Sequence, residues 1–167
     1  MKKLEYKDIC GYLPHDLKIM DNERETVYPF LGYEIDTTLT KILLYDEETD
    51  WWNLSNFKPI LRPNTDLYKP ITHNGKEIVP ILELAKTQRA FDWVVGEDDF
   101  GNLCAKYGEV FFGFKNHSFY LHDFSNDLIY DQYQLFDYLH ELKIDYRGLI
   151  DAGLAISVHD LEFNPYN

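Results

Sequence analysis

Hydrophobic and polar positions change period along the chain, and each change marks an element. In MKKLEYKDICGYLP, residues 1–14, Leu4, Ile9, Tyr12 and Leu13 gather toward one side and predict a short first helix that Pro14 stops. LKIM (17–20), TVYPFLGYEID (26–36) and TKILLYD (40–46) are rich in β-branched and aromatic residues and predict strands, with residues 36–40 as a turn. Pro29 has no ladder donor, so its part of the strand is expected at an edge or a bulge. DEETD (46–50) predicts a loop, and WWNLSNF (51–57) an irregular aromatic anchor.

Residues 56–81 hold four of the seven prolines. Pro59 and Pro63 bracket Ile-Leu-Arg and argue against a regular helix or a central strand there. LYKPITHNGKEIVPI (67–81) predicts a β-hairpin turning at Asn74-Gly75, because both central positions of a type I′ turn need positive φ. Pro80 suits the first turn of a helix, whose buried face would carry Ile81, Leu84, Ala85 and Gln88.

Farther on, LCAKYGEVFFGF (103–114) and SFYLHDF (118–124) flank Lys-Asn-His as a second hairpin. From Asp127 the period becomes helical, with Leu128, Tyr133, Leu135, Phe136, Leu139 and Leu142 outlining a helix that ends before Gly148. GLIDAGLAISVHDL (148–161) reads as a helical turn capped by Gly153 and a small strand over 154–158. The fold class expected from these pieces is α+β: one globular domain over 1–167, with a mainly antiparallel, curved sheet and two or three helices.

Composition then narrows the function classes. At 167 residues and 45% hydrophobic, the chain can bury an ordinary core, and its apolar runs are too short to span a bilayer. No apolar run follows the basic start MKKLEYK, which argues against a secretory signal. Cys10 and Cys104 form no CxxC pair and suit a reducing, cytoplasmic compartment. The net charge of −13 disfavours a nonspecific grip on nucleic-acid phosphates. Charge is also segregated: residues 21–50 are strongly acidic, whereas 51–90 have an excess of Lys and Arg.

Candidate chemistry is sparse. No phosphate-binding glycine loop, nucleophile elbow or HExxH pair occurs, and no motif calls for a cofactor. His117, His122 and Asp123 could meet at a hairpin end and hold a metal, although ligands five apart on a strand point to opposite faces. Acidic runs such as Glu47-Glu48, Glu97-Asp98-Asp99 and Asp123 with Asp127 suit solvated loops better than general acid–base work. Lys58, Arg62, Lys69 and Lys76 make a positive island able to hold a small ligand or nucleotide. Trp51 and Trp52, beside Asp46, Glu47, Glu48 and Asp50, suggest a protein-contact hot spot in which one indole is core and the other exposed.

Four stretches carry a resemblance: YLPHDLK (12–18), PILRPNTDL (59–67), HNGKEIVPI (73–81) and LFDYLHELKIDYRGLIDAGLAISVHDL (135–161). Together they resemble a group of small uncharacterised proteins encoded by phages and prophages of gut Bacteroidota. That group often reads RPLSDL where this chain has Arg62-Pro63-Asn64-Thr65-Asp66-Leu67. Residues 21–55 and 90–130 fall outside the likeness. The resemblance implies a mobile-element accessory protein acting in a bacterial cytoplasm, and it transfers no mechanism.

Three functions remain open from the sequence. The first is a non-enzymatic protein that binds a bacterial host protein, in its sharper form an acidic inhibitor occupying a nucleic-acid-binding cleft. The second is a small-ligand or nucleotide-binding protein using the 58–76 region. The third is a metal-dependent hydrolase using His117, His122 and Asp123.

Overall fold

The computed structural model describes residues 3–35, 40–46, 48–122, 129 and 131–166. A short helix α1 (Tyr6–Ile9) runs into a 3₁₀ segment, Cys10–His15. Strands β1 (Lys18–Asp21), β2 (Val27–Ile35), β3 (Thr40–Asp46), β4 (Glu48–Asn53) and β5 (Phe57–Pro63) follow. Next come β6 (Ile71–His73), β7 (Lys76–Ile78), α2 (Pro80–Gln88), β8 (Val94–Glu97), β9 (Leu103–Tyr107), β10 (Val110–Lys115) and β11 (Ser118–His122). The chain continues through α3 (Gln132–Glu141), β12 (Ile144–Asp145) and β13 (Ile156–Ser157).

The fold class is α+β with mainly antiparallel sheets. The chain divides into two compact units, Met1–Pro63 with His140–Pro165, and Asn64–Leu139 with Tyr166–Asn167. In the first unit β5, β1, β2, β3 and β4 pair antiparallel in that order, and β12 and β13 each pair parallel to β5. Its core gathers Ile9, Tyr12, Leu17, Ile19, Phe30, Ile42, Leu44, Phe57 and Leu61. In the second unit β11, β10, β9 and β8 form an antiparallel sheet in that order, β6 and β7 form a hairpin, and α2 packs on β8, β9 and β10. Ile81, Leu84 and Ala85 form the buried face of α2, as their spacing predicts.

Several local expectations meet their physical explanation here. Asn74 and Gly75 adopt φ of 51° and 71°, the left-handed pair that a two-residue hairpin needs. Pro80 opens α2, where its missing donor would have no partner in any case. Pro29 lies in β2, an inner strand, and a register shift between Phe30 and Gly32 supplies the bulge. The turn over 36–39 lies outside the described residues.

Three expectations are corrected. Pro14 does not stop the first helix but sits inside the 3₁₀ segment, whose i to i+3 bonding continues to His15. Of DEETD, Asp46 and residues 48–50 are drawn into the facing ends of β3 and β4, because Trp51 and Trp52 pair with Leu43 and Ile42 and fix the register back to Asp46 opposite Glu48. Despite its two prolines, β5 is an inner strand. Asn22 N–H donates to Asn56 O at 3.0 Å and Arg62 N–H to Lys143 O at 2.8 Å, so even-numbered positions direct their donors to the side of β1 and β12. Pro59 and Pro63 are odd, and they flank Ile60 and Leu61, the two residues that pair with β13. Their missing donors therefore fall on either side of that short pairing.

Candidate functional site

The β3–β4 hairpin holds the candidate partner surface. Asp46 ends β3, while Glu48, Asp50, Trp51 and Trp52 lie on β4, the last strand of its sheet. Glu47 lies outside the described residues. Adjacent residues on a strand point to opposite faces, and the two tryptophans divide accordingly. Trp52 is half-buried, edge-on to Phe57 with ring centroids 6.2 Å apart, and Arg24 sits 5.7 Å from its ring. Trp51 is 45% exposed. An indole on an edge strand anchored by its half-buried neighbour costs little side-chain entropy on binding, which favours it as an anchor.

The basic island is distributed between the two units. Lys58 and Arg62 lie on β5, whereas Lys69 and Lys76 are exposed residues of the second unit. Lys58 and Arg62 share a face of the strand, about 13 Å apart along it. Arg62 is only 4% exposed. Its electrostatic neighbours include Lys143, a buried residue in the left-handed conformation (φ 59°) just after α3. Burial pushes the Lys143 ammonium down from its ordinary pKa; Asp16 and Glu141 pull it back up, while Arg62 and Lys18 push it further down. The ammonium donates to Glu141 O at 2.7 Å, and Lys18 Nζ donates to Asp16 Oδ1 at 2.8 Å. Arg62 and Lys143 therefore lie inside the unit rather than on an open surface, and Asp16 and Glu141 offset part of their charge.

For metal binding, His117 occupies the β10–β11 turn at φ 59°, and His122 ends β11 opposite Phe111. The strand between them holds their backbones about 16 Å apart. Asp123 lies outside the described residues. Among the described residues no three His, Cys, Asp or Glu side chains gather as a metal site.

Two polar clusters escaped the sequence reading. In the first unit, His140 Nε2 and the Tyr146 hydroxyl are 2.9 Å apart, and Arg147 Nε donates to that hydroxyl at 3.0 Å. Tyr12 packs edge-on to His140 and donates to Ile144 O at 2.9 Å. In the second unit, the Asp98 carboxylate accepts from Phe100 N, Asn102 N, Asn102 Nδ2 and the Tyr120 hydroxyl. Burial works against its charge, but these bonds outweigh it and hold the carboxyl down at about 2. The signal for this second cluster is Asp98-Asp99-Phe100-Gly101-Asn102, an Asx-type turn closed by Gly101 at φ 77°. Its bonds close a hairpin and occupy the Asp98 carboxylate.

No family model, curated protein or solved structure matches this chain. Among the described residues no helix is long and apolar enough to cross a membrane.

Proposed function

We propose that this is a non-enzymatic interaction protein that binds a bacterial host protein through the β3–β4 hairpin. The observation that carries the reading is Trp51, exposed on the terminal strand of its sheet and directly after the acidic sequence Asp46–Asp50. Exposed aromatic side chains on the terminal strand of a sheet are a recurrent basis for protein contact. Glu48 and Asp50 alternate with Trp51 along the same edge strand, so a partner lying along that edge meets both, and these acidic positions favour a basic one, including a cleft that otherwise holds nucleic acid. A host protein as that partner rests on the resemblance to phage and prophage proteins expected from the sequence.

The test is affinity capture from a bacterial host lysate by the tagged protein, with mass-spectrometric identification. The same capture is run with Trp51→Ala and with Asp46→Lys, Glu48→Lys and Asp50→Lys combined. A saturable partner that both variants lose, while their circular dichroism is unchanged, supports the reading. A partner retained at full strength by both variants rules out this surface.

A further inference from the structure

The two edges of the second unit's sheet are treated differently. On β11, Ser118 pairs with Lys115 across the Asn116-His117 turn, so Phe119 directs its N–H and C=O away from the sheet. Gln132, the first residue of α3, satisfies both. Phe119 N–H donates to Gln132 Oε1 at 3.1 Å, and Gln132 Nε2 donates to Phe119 O at 2.9 Å. A side-chain amide thus takes the place of a neighbouring strand and closes that edge.

β8 has no such cover among the described residues. Asp98 N–H donates to Asn102 O at 2.9 Å, which continues the ladder and makes Gly96 with Cys104, and Val94 with Lys106, the bonded pairs. The N–H and C=O groups of Val95 and Glu97 therefore point outward. The side chains beside them are apolar and open: Val94 is 59% and Val95 38% exposed. Val95 and Glu97 share one face of the strand, and Leu103, paired with Glu97, is exposed beside it.

We propose that the β8 edge is a strand-addition site for an extended segment of another protein, carrying an apolar residue opposite Val95 and a Lys or Arg opposite Glu97. Antiparallel addition would exchange two main-chain bonds with each of these residues. Glu97 and the neighbouring Asp99 select the basic residue, and Leu103 covers its aliphatic stem. A second copy fits less well. Pairing β8 with itself about a two-fold axis sets Glu97 against its own copy, against Val95 or against Trp93, never against a Lys or Arg, and joins chains that each carry −13. The site is independent of the β3–β4 hairpin and stands or falls apart from it.

The probe is a peptide containing Lys-Thr-Val flanked by threonines, titrated into ¹⁵N-labelled protein. Saturable amide shifts centred on Val95 and Glu97 are expected. They should vanish when the Lys and Val amides of the peptide are N-methylated, which keeps its charge. Val95→Pro removes an outward donor without removing a ladder bond, and it should abolish binding with little change in melting temperature. Equal binding of the methylated peptide overturns the proposal in favour of charge attraction alone. Shifts elsewhere, or none at millimolar peptide, overturn it as well. A concentration-dependent doubling of mass that Val95→Pro removes would make the occupant a second copy instead.

Discussion

The Tyr12 hydroxyl donates to Ile144 O across 132 residues of sequence, joining the 3₁₀ segment to the parallel strand β12. Both ends are buried, so removing the hydroxyl leaves a carbonyl oxygen without that donor. Tyr12→Phe keeps the ring and its edge contact with His140. The expected cost is about 1–3 kcal/mol, read as a lower urea midpoint with unchanged slope.

Most of the locally encoded structure was legible. Asn74-Gly75 named its own turn, Pro80 named a helix start, and the spacing of Ile81, Leu84 and Ala85 named the face it buries. The division of Trp51 from Trp52 followed from strand alternation. Long-range pairing was not legible. Pro59 and Pro63 argued against an inner strand because nothing local shows that β13 would pair only Ile60 and Leu61, two of the three residues between them. Val94–Glu97 was overlooked because four residues between Trp93 and an acidic turn carry too little periodicity to mark a strand. The cation group around Arg62 depends on Lys143 and Lys18, which come from remote segments.

Gly11 lies against the His140 ring so closely that an added Cβ would overlap the ring atoms. The ring cannot retreat freely, because Tyr12 flanks it and Tyr146 pairs with its Nε2. Gly11→Ala should therefore displace His140 and break the Tyr146 contact, costing about 1–3 kcal/mol. Combining it with Tyr146→Phe checks the mechanism: the two losses should add to less than their sum, because both remove the same hydrogen bond.

The two thiols should differ in reactivity. Burial pushes the Cys104 thiol up to about 11, with Asp98 adding to the rise, whereas Cys10 is half-exposed with its sulfur near Lys7 O. The shift from 9.0 alone lowers the Cys104 thiolate population about 100-fold at pH 8. Brief alkylation of native protein should add one label, at Cys10 by mass spectrometry, and denaturation should expose the second. Rapid labelling of Cys104 in native protein would show that the β9 region opens readily.

Asp98 and Tyr68 set opposite ends of the pH profile. The Asp98 carboxyl falls from 3.8 to about 2 in the folded protein, so the stability it contributes is present above 3.8 and is lost as pH falls through about 2. Tyr68 moves the other way: burial raises it from 10.0 to about 12, against the lowering effect of its bond to Phe114 O. Its contribution is present below pH 10 and is lost as pH rises through about 12. Tyr120, raised by burial and then by its bond to Asp98, adds to the alkaline loss in the same direction. Urea midpoints measured across pH should therefore decline at both ends. Asp98→Asn should flatten the acid decline between about 4 and 2 while leaving the alkaline limb, and Tyr68→Phe should do the reverse. An unchanged acid limb in Asp98→Asn would show that the turn bonds are made equally well by the protonated acid, and that the hairpin does not depend on that charge.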